Sequence, residues 1–168
     1  PVGPARHVPK DDLWPMMPAF RDALLRFVGR TGARYDLVHG NFWMSGWVAC
    51  ELRDELGIPV VQLFHALGAT KRRHQRDADT SPRNRIETER EIVRRVDRVI
   101  ASCPREIEEL TSDYGADRSR VSMIPLGVDR EAFRPMPRGE ARRAVGHGLD
   151  ENDRVIVYVG RVLPRKDI

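Results

Sequence analysis

The sequence predicts an α/β fold, a doubly wound parallel sheet, and three features carry that prediction. Four short apolar runs, at 35–39, 60–64, 98–102 and 121–124, alternate with segments of helical spacing. The run 60–64, VVQLF, is too continuously apolar for a strand with one wet face and fits a parallel strand covered by helices on both sides. Repeats and low-complexity tracts are missing, which leaves sheet and helix in alternation as the organising pattern.

Each element has a local reason. Asp11 and Asp12 can cap a first helix that takes Pro15 in its first turn, carries Met16, Phe20, Leu24 and Phe27 on one stripe and ends near Gly32. A strand over 35–39 precedes a helix over 41–56, with Trp43, Trp47, Val48 and Leu52 inward and Gly57 as its stop. Pro59 opens the strand 60–64. A polar loop over about 68–82 leads to a helix over 83–96 and the strand 98–102. Pro104 starts a helix to Tyr114, and residues 121–124 form the next strand. The stretch 133–139, FRPMPRG, reads as a linker, with a boundary near Pro135; one short helix and a strand over 155–159 follow. The expected organisation is therefore a domain over 1–135 and, over 136–168, the linker and first strand of a second.

Composition narrows the function classes. With 168 residues, 40% hydrophobic, the chain can form one core of ordinary size. A net charge of +4 favours anionic ligands, but 29 basic against 25 acidic residues is a mixed surface. Cys50 and Cys103 stand far apart in segments read as buried, without metal-ligand spacing, which points to a reducing, cytoplasmic setting. No run approaches the ~20 apolar residues a membrane span requires, so any membrane contact would be peripheral.

Sites on parallel sheets gather at the carboxyl ends of strands, which selects His39, Gly40 and Asn41, then His65 with 66–68, then Ser102. His65 can donate to a sugar hydroxyl or a phosphate, or can be a structural histidine bonded to a carbonyl. Lys71, Arg72, Arg73, His74 and Arg76 crowd the polar loop, where they can close over a phosphorylated substrate or be merely solvated. Without aromatic stacking residues among them, nucleic acid is not an expected partner. On the helix over 83–96, Arg85 and Glu89 project onto the inward face with Ile92, Val93 and Val96, either as a half-buried pair fixing the helix or as a ligand site. Arg161 and Lys166 follow the strand over 155–159, two cations fit for a diphosphate.

Taken in order, YDLVHGNFWMSG (35–46), GIPVVQLFHALG (57–68), RIETE (85–89), DRVIASCPREIEEL (97–110), YGADRSRVSMIPLGVDREAFRP (114–135) and GRVLPRKD (160–167) resemble glycosyltransferase family 4. HALG with Lys71 and RIETE are most similar to sucrose-phosphate synthases; NFWMSG and YGAD also resemble actinobacterial inositol-phosphate glycosyltransferases. The resemblance implies a GT-B enzyme, two facing Rossmann-like domains, the N-terminal one holding the acceptor and the C-terminal one a nucleotide-diphosphate sugar. Transfer would retain anomeric configuration, without an essential metal or any cofactor beyond that co-substrate.

By position the resemblance puts His65 at the reaction centre, Asn41, Lys71 and Arg85 on the acceptor, with Glu89 behind Arg85, and Arg161 and Lys166 on the donor diphosphate. This chain departs from the pattern at Phe42, where the inositol-phosphate enzymes have tyrosine, at Ala66, where phosphate-binding relatives have serine or threonine, and at Asp167, where glycine is usual. The Gly-rich first loop and the E-x7-E motif of the family are missing, so the chain is expected to be a fragment, inactive alone, of an enzyme moving a hexose to a small polar acceptor, phosphorylated or not. The competing reading keeps the fold and drops the chemistry: a Rossmann-like module that binds a phosphorylated metabolite or a protein.

Overall fold

The computed structural model describes residues 3–146, 148–150 and 152–160. They divide into two compact units, the first ending at Pro125 and the second starting at Leu126. In the first, a 3-10 helix (Lys10–Met16) runs into α1 (Met17–Thr31); then follow β1 (Val38–Asn41), α2 (Trp43–Leu56), β2 (Val60–Leu63), α3 (Gly68–Gln75), α4 (Arg85–Arg95), β3 (Arg98–Ala101), α5 (Pro104–Tyr114) and β4 (Val121–Met123). The four strands are parallel and lie in chain order, β1-β2-β3-β4, one wing of the expected doubly wound sheet with no reversal of direction among the described residues.

That order decides which face is covered. Right-handed crossovers that all step the same way lay their helices on one side of the sheet. Accordingly α2 packs on β1, β2 and α4, and α5 on α4, β3 and β4. The register aligns Val38 and Gly40, Val60 and Gln62, Val99 and Ala101, and Val121 on that face, where Trp43, Cys50, Ile92, Val96 and Leu110 close the core. On the opposite face His39, Asn41 and Ser122 are exposed, Val61 and Ile100 half-buried and Leu63 buried. Among the described residues the helices lie on one side of the run at 60–64, while on the other side only Leu63 of the run is buried.

Several boundaries move for identifiable reasons. β1 starts at Val38 because its first partner on β2 is Val60; Tyr35 and Leu37 have no strand opposite them and are exposed. Pro15 sits in the 3-10 segment and α1 begins only at Met17, with Pro18 in its first turn and no side-chain cap from Asp11 or Asp12. The stripe assigned to α1 stays largely outside the core, with Phe20 and Phe27 exposed; Leu13, Trp14 and Met17 pack against it instead. Gly57 ends α2 in the left-handed conformation (φ 69°), as expected. The polar stretch after residue 68 is not a loop but α3 and a short 3-10 turn, Arg76–Ala78. Cys50 is buried, whereas Cys103 is exposed, against expectation, because it precedes the first turn of α5.

The second unit holds α6 (Arg138–Val145), with Arg138 and Arg142 both donating to the Asp153 carbonyl. The run 155–159 pairs with no strand among the described residues, and Ile156 and Val159 are exposed. β-propensity alone makes no strand: a ladder needs a partner for its N–H and C=O groups.

Candidate active site

The carboxyl ends of β1 and β2 are adjacent, and both chains leave the sheet with a non-glycine residue at positive φ: Phe42 (φ 72°, ψ 156°) and His65 (φ 59°). Such conformations cost roughly 1–3 kcal/mol and persist where the surroundings enforce them. At Phe42 they do so through three bonds. Its N–H donates to the Leu63 carbonyl (2.9 Å), its carbonyl accepts from Gly46 N (3.0 Å), and the same carbonyl accepts from Gln62 Nε2 (3.1 Å). Gln62 is fully buried, its amide also donating to the Leu63 carbonyl, and its Oε1 packs between Gly40 and Gly46, where any Cβ would overlap it. Gly40 is therefore a packing residue.

His65 and Asn41, both exposed, come together across this gap: His65 Nε2 donates to Asn41 Oδ1 at 3.0 Å. A carbonyl oxygen only accepts, so the contact places a proton on Nε2 and leaves Nδ1 outside this bond. The bond locks the ring at the sheet edge while leaving one nitrogen for a ligand.

Behind the turn lies a closed ionic network. Arg85 and Glu89 are fully buried, not half-buried, with Arg85 Nε donating to Glu89 Oε1 at 2.8 Å. Arg85 also donates to the Ala66 carbonyl (2.7 Å) and to Ser81 Oγ (3.2 Å), and its guanidinium lies over the rings of Phe42 and Trp43. Glu89 accepts from Gly68 N (2.9 and 3.2 Å) and from the Tyr114 hydroxyl (2.6 Å), whose oxygen in turn accepts from Ala69 N (2.8 Å). Burial, with the Glu89 charge beside it, pushes the Tyr114 phenol well above its ordinary range, so it remains a donor. Only glycine fits at position 68, where a Cβ would meet Glu89 Oε2 at 2.8 Å.

A second cluster adjoins the first. Lys71 Nζ lies 2.9 Å from Asp79, 3.4 Å from Asp11 and donates to Ser81 Oγ at 2.8 Å. Ser81 Oγ thus accepts from Lys71 and Arg85 at once. Burial by itself would raise Asp79, but hydrogen bonds from Lys71 and Ser81, with the Lys71 charge, hold it at about 2. Asp11 is brought here by Trp14, whose ring stacks on Trp43 at 4.5 Å. Its Oδ2 accepts from Thr80 (2.6 Å), and its buried Oδ1 has no hydrogen-bond partner. Lys10 stands 5.0 Å from the centre of the Phe42 ring; partial burial, with Lys71 and Arg85 nearby, lowers its pKa despite Asp11.

The structure thus brings together Asn41 with His65, and Lys71 with Arg85 and Glu89. It separates the other basic residues of the expected loop. Arg73 pairs with Asp113 and Glu109, Arg72 approaches Asp79 at 3.8 Å, and His74 and Arg76 are exposed. Ser102 turns both N–H and hydroxyl to Glu106 (2.7 Å each), bonding the first turn of α5. His39 lies on the open sheet face. Arg161 and Lys166 fall outside the described residues. Sequence reasoning missed Lys10, Gln62, Asp79, Ser81 and Tyr114; of these Gln62 carried a signal, a lone amide inside an apolar strand.

A cavity of about 360 Å³ bordered by Arg53, Asp54, Gly57, Ile58, Pro59 and Asp97 opens at the other end of β2, away from this chemistry. Among the described residues no helix is long and apolar enough to cross a membrane, and no three His, Cys, Asp or Glu side chains are grouped to hold a metal ion.

Comparison with known proteins gives consistent results. The chain is 37% identical over 167 residues to the D-inositol 3-phosphate glycosyltransferases of Gordonia bronchialis and Actinosynnema mirum, covering 98% of this chain and 36% and 40% of theirs. It spans about two fifths of the length of these relatives. Sucrose-phosphate synthase from Thermosynechococcus elongatus superposes with a TM-score of 0.85 at 28% identity, over 98% of this chain and 40% of that one. HepE of Anabaena, solved with UDP-glucose, shares the fold at 16% identity and a TM-score of 0.55, over 83% of this chain and 34% of that one. Residues 1–132 match Glycosyltransferase Family 4, and with the parallel sheet and its strand-end site in agreement, the chain belongs to that family.

Proposed function

We propose that the protein to which this chain contributes transfers a hexosyl group from a nucleotide-diphosphate sugar to a small polar acceptor, with retention, and that this chain supplies most of the acceptor-side domain, over 1–135. The observation that carries the reading is His65: exposed at the end of β2, at positive φ, with Nε2 held by Asn41. A ring so fixed can meet a hydroxyl of the transferred sugar through Nδ1 without losing its orientation. Asn41, Lys71, Arg85 and Glu89 shape the acceptor side, Glu89 setting Arg85 from behind. Arg161 and Lys166 are assigned to the donor diphosphate, where they would offset the charge gained by the leaving nucleotide as the glycosidic bond breaks. The relatives named for inositol 3-phosphate glycosyl transfer support the reaction class, and the HepE structure with UDP-glucose supports the donor class.

The test uses the full-length protein with UDP-, GDP- and ADP-sugars, following nucleotide release with and without polyol and sugar-phosphate acceptors. One donor should be turned over selectively, and His65→Ala should lower kcat by about 10²-fold, the scale of losing one positioned polar contact in a transition state. Donor turnover unchanged in His65→Ala would remove His65 from the reaction centre. No turnover with any donor would favour a binding module.

A further inference from the structure

We propose that Gln62 is a positioning residue for His65: its buried side-chain amide ties the chain leaving β1 to the end of β2 and so fixes Asn41, which holds the imidazole. That this matters for turnover rests on the reading of His65 as the contact to the transferred sugar; the clamp itself does not.

Gln62 is fully buried in the middle of an apolar strand. Its amide donates to two carbonyls at different strand exits, Leu63 on β2 and Phe42 just past β1, each at 3.1 Å. Neither carbonyl needs it. The Leu63 oxygen already accepts from Phe42 N at 2.9 Å, and the Phe42 oxygen from Gly46 N at 3.0 Å. Satisfying the backbone therefore does not account for a glutamine here. Packing does not account for it either. Its Oε1 is buried without a hydrogen-bond partner, and both Gly40 and Gly46 lack the side chain that would overlap that oxygen, although a glycine inside a helix is less favourable than an alanine. An apolar side chain at position 62 would remove the unpartnered oxygen and the demand for two glycines together.

What the amide does supply is geometry. The last pair of the β1–β2 ladder is Asn41 with Leu63, and the chains turn just beyond it, at Phe42 (φ 72°, ψ 156°) and at His65 (φ 59°). The conformation of Phe42 is essentially one for glycine and persists only where its surroundings enforce it. Relaxing it rotates the peptide that joins Phe42 to Asn41. The Asn41 contact to His65 Nε2, at 3.0 Å, would not survive a displacement of about 0.6 Å. By bonding Phe42 and Leu63 at once, Gln62 opposes that rotation from inside the core, where water cannot compete for its amide.

The experiment uses the full-length protein with Gln62→Met, which keeps the length of the side chain and removes both donors. With the donor turned over by wild type, kcat should fall about tenfold or more while KM for that donor changes less than about twofold, the mark of positions needed in the transition state and not for binding. In an Asn41→Ala background the same change should lower kcat by less than about twofold, because the route to His65 is already cut. In NMR spectra the ring signal of His65 should shift in Gln62→Met, and that of His39, on the open face of β1, should not. An unchanged kcat in Gln62→Met, when His65→Ala lowers turnover, overturns the inference and leaves the glycosyl-transfer reading in place. Losses that multiply in the double variant overturn it as well, and an unmoved His65 signal overturns it whatever the turnover. A His65 signal that moves, with turnover indifferent to His65→Ala, leaves the clamp standing and removes that reading. Should Gln62→Met not fold, the unsubstituted protein gives a further arm. Both side-chain amide protons of Gln62 should exchange with D2O at least about a hundredfold more slowly than those of an exposed glutamine, and exchange at the exposed rate overturns the inference.

Discussion

Glu89→Gln keeps the volume of the side chain and removes its charge, so it isolates the buried ion pair. The carboxylate accepts from Arg85 Nε at 2.8 Å, Gly68 N at 2.9 Å and Tyr114 Oη at 2.6 Å, with no exposure to water. A glutamine offers one acceptor oxygen and an NH2. With the oxygen toward Arg85, the NH2 meets the Tyr114 O–H and the Gly68 N–H keeps only its longer contact of 3.2 Å; reversed, it meets the Arg85 Nε–H. Either way a buried donor is left without an acceptor, at about 1–3 kcal/mol. The larger loss is the counter-ion of Arg85, since breaking a buried pair from one side costs about 3–5 kcal/mol. Stacking of the guanidinium on Phe42 and Trp43 survives and offsets about 0.5–2 kcal/mol of that. The net expectation is a loss of at least about 3 kcal/mol, a large fraction of the stability of an ordinary domain. Urea denaturation followed by far-UV circular dichroism should show the midpoint falling by about 1–2 M at unchanged slope. The double variant Arg85→Met/Glu89→Leu should lie much closer to wild type than either single change, because an apolar replacement removes both desolvation costs together. A Glu89→Gln protein within about 0.5 kcal/mol of wild type would refute this account of the network.

Gly46→Ala should destabilise by about 1–3 kcal/mol, since its Cβ would come within 2.5 Å of Gln62 Oε1 and the amide is pinned by two bonds; combined with Gln62→Ala, the two costs should add to less than their sum in thermal melts. Phe42→Gly and Phe42→Ala lose the same ring, but the backbone at φ 72°, ψ 156° suits only glycine, so the glycine variant should melt higher, by about 1 kcal/mol in stability. Asp79 is held at about 2, below its ordinary 3.8, so it stabilises the fold above about pH 4 and that contribution disappears as pH falls toward 2. Asp79→Asn should therefore be about 1–2 kcal/mol less stable near pH 7 and converge with wild type near pH 2, as measured by denaturation across that range. In native protein a thiol reagent should label Cys103 rapidly and spare Cys50, which is buried with its thiol pushed up to about 12 by desolvation; rapid labelling of Cys50 would contradict the packing of α2.

The four strands of the sheet were legible because apolar runs bounded by Gly and Pro leave few alternatives, whereas the run at 155–159 has no strand beside it among the described residues, and the spacing of Arg85 and Glu89 from Ile92 placed both on the inward face of α4 correctly. What the local pattern could not supply was the partner. β1 is trimmed to Val38 by where β2 begins, a pairing outside any window that contains Tyr35. The residues of α3, GATKRRHQ, have no apolar stripe, so they read as a loop; the helix forms because Glu89 binds its first N–H, Tyr114 its second, and Lys71 and Arg73 reach Asp79 and Asp113. Those anchors lie from 8 residues away, Lys71 to Asp79, to 45 residues away, Ala69 to Tyr114. Likewise Lys71 and Arg85 are legible as cations, but not the Ser81 hydroxyl that sits between them.

His65 is held in place largely through groups that never touch it. The next residues of its turn are each tethered from outside the turn: the Ala66 carbonyl by Arg85, the Gly68 N–H by Glu89 and the Ala69 N–H by Tyr114. From the other side Asn41 fixes the ring, and Gln62 fixes the backbone of Phe42 next to Asn41. Two helices and two strands thus converge on one strained histidine, and on the helix side the polar groups that do so, Arg85, Glu89 and Tyr114, are buried and bonded to one another. That arrangement explains why charged residues occupy the inward face of α4 at all. An apolar face would pack as well, but it could not hold three backbone groups of an open turn in fixed positions, and the glycosyl transfer proposed above would require positions held to a fraction of an ångström.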